Sequence, residues 1–574
     1  MKKFLLGILA GIIIAAVAGV VLFFAAIRAA GRKPDVPKQV VLELRLEGAL
    51  PEGLPIAAPF PGLESRTPPA VVEVWQSLQR AARDSRVRAL FLRPRGLAVG
   101  WAKVDELRTA VELFRKSGKP VYAWLDGPGM KEYYLASAAD RVFLSPEDLL
   151  DVKGLRIEAT YLKGTLDKLG VQVEIEHAGK YKDAGDLFTR TGMSAETKEA
   201  LNAILDGILE RWLSTVSARR SIQPAALRAL LDEGPFLAPA ALKAKLVDEL
   251  THEGNALQSL RRKAGAEEAV SISLRRYADS EDSRRGRRRR VALLVAQGDI
   301  VRGSLAALLG EENTISPAAI ERQVRLISGD SAISGVVLRI DSPGGDAIAS
   351  DEILESLKRL SQSKPLVISM SDLAASGGYY IAMTGDPVVA HSGTITGSIG
   401  VIYGKVNLSG LYSKLGLSKE VLKRGRFADI DSDVQPLSPE ARKKLRESIE
   451  FIYDGFLRRV TEGRKKKREE VEPFAQGRVW LGRDARERGL IDEVGGLDRA
   501  LDLLRKRAGM ADDDRIQLVV YPGRRTIWTE LFGREEDTPL PSPARALLTE
   551  LGPGIAPWLR GGLLRVLPYR LEVR

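Results

Sequence analysis

Residues 335–370 read GVVLRIDSPGGDAIASDEILESLKRLSQSKPLVISM. Gly335–Ile340 is an apolar, β-branched run of strand type, Ile348–Leu360 has the pattern of a helix, and Leu366–Met370 is strand-like again. That alternation of strand, helix and strand predicts stacked βαβ units, so the fold class expected is α/β. Between the first strand and the helix lies Asp341-Ser342-Pro343-Gly344-Gly345-Asp346. Paired glycines there turn the chain sharply and can aim backbone N–H groups at a developing oxyanion. A glycine turn is common, and alone it does not make an enzyme.

The second strand runs into Ser371-Asp372-Leu373-Ala374-Ala375-Ser376-Gly377-Gly378-Tyr379-Tyr380. Ser376 falls where a loop enters a helix, and its small neighbours leave the hydroxyl approachable. It is not a G-x-S-x-G nucleophile elbow, because position 374 is alanine. An ordinary helix-capping serine is the alternative reading at this point.

Much of this pattern occurs earlier in the chain at a constant separation of 246 residues. Leu92 and Arg93 correspond to Leu338 and Arg339; Tyr133, Tyr134, Ala136, Asp140 and Val142 correspond to Tyr379, Tyr380, Ala382, Asp386 and Val388. Gly154, Lys168, Leu169, Gly170, Gly179 and Asp183 continue the series in Gly400, Lys414, Leu415, Gly416, Gly425 and Asp429. So many identities at one spacing indicate a duplication, with two halves of similar fold rather than a solenoid. The expected organisation is a first domain over 38–262, a charged linker over 263–290, a second domain over 291–510 and an extension over 511–574. The linker carries Glu267, Glu268, Glu281 and Asp282, then Arg284, Arg285 and Arg287–Arg290. It lacks interleaved aromatics, so no nucleic-acid partner is expected.

The two copies differ where chemistry would sit. The first has Arg95-Gly96-Leu97-Ala98-Val99-Gly100 in place of the paired-glycine turn, and Met130 in place of Ser376. Conversely, Lys182, in Gly179-Lys180-Tyr181-Lys182-Asp183-Ala184, corresponds to Ala428. One copy has the serine without this lysine, and the other has the lysine without the serine. If both serve one site, that site combines the halves. A lysine in a dry cleft can act as general base toward a serine hydroxyl attacking a peptide carbonyl. Lys180 is the neighbouring competitor, and Arg426 is a poor base because guanidinium stays protonated. Histidine supply is thin: His177, His252 and His391 are the only ones, none in a metal-ligand spacing. His391 is expected to have a local structural or positioning role, although a triad using it with Ser376 stays open at this stage.

The 574 residues suffice for several domains, and 44% hydrophobic with 28% charged residues excludes wholesale disorder. Zero cysteines exclude disulfides, thiolate metal sites and cysteine nucleophiles. The net charge of +12 permits attraction to anionic surfaces without specifying a partner. Phe4–Ile27 contains only apolar or small residues, long enough for a membrane-spanning helix, so residues 1–33 are expected to form an anchor with its flanks. A cleaved signal peptide is the alternative. Trp558, Leu559, Leu563 and Leu564 suggest a short amphipathic piece, either a packing face or one turned to membrane or subunit.

Together these segments resemble the family of the long-form signal peptide peptidases of the protease IV type. The resemblance rests on Asp341-Ser342-Pro343-Gly344-Gly345, Ala374-Ala375-Ser376-Gly377-Gly378-Tyr379-Tyr380, Thr396-Gly397-Ser398-Ile399-Gly400, Tyr181-Lys182-Asp183-Ala184 and Gly477-Arg478-Val479-Trp480-Leu481-Gly482-Arg483-Asp484-Ala485. It covers about residues 40 to 510 and implies a tandem ClpP/crotonase-like fold preceded by one transmembrane helix. It also implies a membrane-bound serine endopeptidase that degrades residual signal peptides and other extended apolar peptides. The implied nucleophile is Ser376 and the implied base Lys182; Gly345 and Gly377 are oxyanion-hole candidates, and Gly344, Gly378 and Ser398 substrate-positioning candidates. No cofactor or metal is implied. The implied setting is a homotetramer in contact with membrane lipid, held in the bacterial inner membrane with its catalytic body on the extracytoplasmic side. A crotonase-like acyl-CoA enzyme and an inactive membrane scaffold are the readings from other classes. The last sixty or so residues carry no transferable motif.

Overall fold

The computed structural model describes residues 34–55, 68–280, 288–303 and 314–524, and the backbone of one further strand, Gly562–Val566. The expected anchor lies outside these residues. Among the described residues no helix is long and apolar enough to cross a membrane.

Two sheets share one plan. In the first half the strand order is Glu249–Leu250, Arg141–Leu144, Val121–Leu125, Val87–Leu97, Val40–Gly48 and Val270–Ser273, all parallel. In the second half, Glu493–Val494, Val388–Ala390, Leu366–Ala375, Ile333–Ser342, Arg288–Gln297 and Arg515–Tyr521 follow the same order, again parallel. The strands at the centre of each sheet are buried, as their near-continuous apolar runs require. Helix Ala347–Ser363 buries Ala349, Ile353, Leu354, Leu357 and Leu360, a stripe at helical spacing. Asp346 starts it, its carboxylate accepting from Ile348 N and Ala349 N. The duplication also appears in two 26-residue helices, Ala195–Arg220 and Pro439–Arg464, each capped by a serine, Ser194 and Ser438.

Two boundaries differ from those suggested by composition. Within 263–290, Val270–Ser273 is an edge strand on Val40–Gly48, and helix Leu274–Asp279 follows it. Arg289 and Arg290 pair with Asp514 and Asp330. Likewise, Arg515–Tyr521 completes the second sheet although it lies beyond residue 510.

A third sheet joins the halves. Its order is Thr314–Ile315, Asp299–Ile300, Gly344–Asp346, Gly562–Val566, Val401–Asn407 and Gln172–Ala178. Gln172–Ala178, from the first half, pairs antiparallel with Val401–Asn407 over its whole length. Leu563 and Leu564, expected in an amphipathic piece, lie in the tail strand; Trp558 and Leu559 fall outside the described residues.

Candidate active site

The bridging strand sets the position of the lysine. It ends at Ala178 opposite Val401, and the chain then turns through Gly179 at φ +104°. Tyr181 N donates to Gln476 O at 2.9 Å, tying the turn to the second half. Lys182 thereby enters a wall of glycine: a Cβ on Gly477 would stand 2.6 Å from Lys182 N, and one on Gly400 3.1 Å from its Cδ. No other residue type leaves room for the lysine backbone beside Gly477, whose φ of +79° also favours glycine.

Ser376 arrives from the opposite side, at the end of strand Leu366–Ala375. Its backbone has φ 55° and ψ −115°, a conformation that costs a non-glycine residue about 1–3 kcal/mol. Ser376 N donates to Gly397 O at 2.8 Å, and Tyr380 N donates to Ser376 O at 2.8 Å. The side chain does not cap the short helix Gly377–Tyr380. Instead Lys182 Nζ lies 2.8 Å from Ser376 Oγ, and both residues are fully buried. Ser398 completes the contact: its Oγ and its carbonyl oxygen lie 3.0 and 3.2 Å from Lys182 Nζ. Ser398, expected to position substrate, therefore orients the lysine. This is a role that spacing within one copy could not reveal.

The glycines pack as a unit. A Cβ on Gly345 would lie 1.9 Å from Ile300 O; one on Gly377 would lie 3.1 Å from Gly345 N; one on Gly378 would lie 2.6 Å from Ser342 O. The turn at Gly344 and Gly345 thus touches the backbone that follows Ser376, and Ser342 Oγ accepts from Gly344 N at 3.1 Å. Gly344 adopts φ +101°.

The arrangement is a hydroxyl, an amine and a close-packed glycine turn, assembled from both copies. Comparison with known proteins gives the family. A family model described as Peptidase family S49 matches residues 113–267 and 358–511, once in each half. The chain belongs to peptidase family S49. Similar relatives are "Serine protease SPPA, chloroplastic" of Arabidopsis thaliana, 33% identical over 78% of this chain and 67% of that protein, and "Protease 4" of Salmonella typhi, 34% identical over 73% and 68%. "Protease 4" of Haemophilus influenzae is 31% identical over 78% and 74%. Among solved structures, a ClpP1 mutant from Listeria monocytogenes is similar at 12% identity over 36% of this chain and 94% of that one, with a TM-score of 0.24. The S49 chain is a serine peptidase with two S49 regions in an α/β fold.

Two of the three histidines of this S49 peptidase, His391 and His177, are engaged elsewhere. His391 is buried with Nε2 3.1 Å from Glu106 Oε2. Burial would depress His391, but the neighbouring Glu106 carboxylate overrides it and holds the imidazole above its ordinary value. Burial would likewise raise Glu106, yet His391 and Arg339 pull it down to about 2. His177 Nδ1 lies 3.0 Å from Gly179 O, so that ring braces the turn before Lys182. Arg339 joins Glu52 Oε2 at 3.0 Å and Glu106 Oε2 at 3.2 Å, with all three side chains at most 1% exposed. Glu52 and Glu106 come from the first half and Arg339 from the second, so this network fastens one copy to the other.

Proposed function

We propose that this S49 peptidase is a Ser-Lys endopeptidase acting on extended apolar peptides, residual signal peptides among them, through an acyl-enzyme on Ser376. The observation that carries the reading is the 2.8 Å contact between Lys182 Nζ and Ser376 Oγ. Removing a lysine from water favours its neutral form, which can accept a proton. As Ser376 Oγ bonds to the scissile carbonyl carbon, its proton passes to Lys182 Nζ. Negative charge collects on the carbonyl oxygen, for which the Gly345 and Gly377 amides are the donors proposed. The C–N bond then breaks, and Lys182 returns the proton to the leaving amine. A water, deprotonated by the same amine, hydrolyses the ester and restores the Ser376 hydroxyl.

Extended substrates fit the third sheet. Between Gly344–Asp346 and Val401–Asn407 is a place one strand wide, where Gly562–Val566 pairs antiparallel to both sides, with Arg565 opposite Gly345 and Leu564 opposite Ile402. A peptide binding there would gain main-chain hydrogen bonds on both edges irrespective of its sequence. Such a peptide competes with the tail. Leu564→Pro, which removes a backbone donor from the tail strand, is expected to lower KM for an apolar decapeptide by about tenfold if the tail holds the slot nine-tenths of the time. Steady-state kinetics of the full-length variant checks this.

The anchor expected over residues 1–33 would keep this slot near peptides leaving a membrane. The proposed setting is the extracytoplasmic face of the inner membrane, with a homotetramer excluding folded proteins. The test of the reaction is direct. A synthetic signal peptide is incubated with purified protein, quenched in acid and resolved by mass. Fragments together with an acyl adduct on Ser376 are expected. Undiminished cleavage after Ser376 has been blocked by a phosphonate would overturn the assignment.

A further inference from the structure

Lys103 lies on the first turn of helix Trp101–Arg115 in the first half, the helix that also carries Glu106. Its Nζ lies 2.7 Å from Asp341 Oδ2, and 3.9 Å from both Asp372 Oδ2 and Glu52 Oε1, with the lysine side chain only 7% exposed. The same helix start grips Asp372 through the backbone. Gly100 N donates to Asp372 Oδ2 at 2.7 Å, and Lys103 N donates to Asp372 Oδ1 at 2.8 Å. A Cβ on Gly100 would fall 2.4 Å from Asp372 Cγ, so this approach requires glycine. Asp341 Oδ1 in turn accepts from Leu373 N at 3.2 Å.

The two acids hold equivalent places in the site. Asp341 stands four residues before Gly345, at the root of the oxyanion turn, and Asp372 four residues before Ser376. In the first copy Arg95 and Asp126 occupy these positions and pair at 3.4 Å, with both side chains exposed to water. In the copy that carries the serine, both positions are acidic and cannot neutralise each other. Burial raises Asp372 above its ordinary value despite Lys103 beside it, and the neighbouring Asp341 carboxylate adds to the rise. The missing cation is supplied from the other half.

We propose that Lys103 is a positioning residue for the peptidase, clamping the root of the oxyanion turn and the root of the nucleophile loop in the one arrangement that lets Gly345 and Ser376 act on the same carbonyl. The serine-bearing copy would then depend on the first half twice, for Lys182 and for Lys103. The inference rests on the Ser-Lys peptidase reading. Displacement of reacting groups by about 1 Å lowers turnover by about 100-fold. Lys103→Met is accordingly expected to lower kcat by about that factor while KM changes less than about threefold.

The experiment compares the full-length wild type, Lys103→Met, and Lys103→Met with Asp341→Arg. Cleavage of one apolar peptide is followed at a temperature where circular dichroism shows all three folded. The double variant rebuilds the arginine-aspartate pair of the first copy and is expected to regain at least about tenfold in kcat. A folded Lys103→Met with wild-type kcat, a loss confined to KM, or a double variant no faster than the single one would overturn the clamp. If Lys103→Met does not fold, Asp341→Asn serves instead. It keeps Lys103 beside Asp372 and Glu52, and wild-type kcat there would likewise overturn the proposal, whereas a loss in kcat alone would support it. A wild type that cleaves no peptide would refute the peptidase reading itself, and the clamp with it.

Discussion

Lys182→Met is expected to lower peptide hydrolysis about 10⁴-fold, the upper range for loss of a general base. Methionine has a similar reach and stays apolar, so it can lie between Gly400 and Gly477 where the lysine stem now packs. What it lacks is a proton acceptor 2.8 Å from Ser376 Oγ. Ser376 would remain a hydroxyl, and Ser398 would turn to another partner. The loss should appear in acyl-enzyme formation, so an acid-quench experiment that counts acylated Ser376 per turnover is the decisive measurement. Because serine and base act as one unit, adding Ser376→Ala should cost little more than the single change. The variant should retain the thermal stability of the wild type or exceed it, since a buried amine has been replaced by an apolar group. Normal acylation in Lys182→Met would remove the lysine from the mechanism and return attention to the His391 alternative, although His391 is held against Glu106.

How much of this was legible in the sequence follows from where each contact lies relative to the duplication. Strands and helices repeat at nearly constant spacing, so Gly335–Ile340 and Ile348–Leu360 fall within observed elements over 333–342 and 347–363. The serine without lysine, and the lysine without serine, were visible as mismatches between the copies. Contacts between the copies were not visible. The register of Gln172–Ala178 against Val401–Asn407, the seat of Lys182 against Gly477, and the reach of Lys103 to Asp341 are pairings of high sequence separation. No local periodicity reports these. A signal did exist for Lys103: positions 341 and 372 are both acidic, whereas positions 95 and 126 are an arginine and an aspartate. The tail strand was hidden for a simpler reason. Gly562–Val566 carries no alternating pattern and becomes a strand only because two edges, Gly344–Asp346 and Val401–Asn407, stand one strand apart.

The same logic separates two arginines at equivalent positions. Arg339→Met is expected to destabilise the protein by about 3–5 kcal/mol, because it leaves the Glu52 and Glu106 carboxylates buried without their shared guanidinium. Arg93, its counterpart 246 residues earlier, pairs with Glu253 where the side chains are 20% and 32% exposed. Arg93→Met should therefore cost about 1 kcal/mol or less. Urea unfolding of both variants checks the contrast through their midpoints. Arg339 also reaches Ser369 Oγ at 2.8 Å and Ser371 Oγ at 3.3 Å, so its loss should loosen the strand that delivers Ser376. If the penalty is that of stranded charge, then Glu52→Gln and Glu106→Gln added to Arg339→Met should recover much of it, whereas each alone in the wild-type background should destabilise. Similar midpoints for Arg339→Met and Arg93→Met would mean that water reaches Glu52 and Glu106, and that the join between the copies is held by apolar packing and the bridging strand rather than by this network.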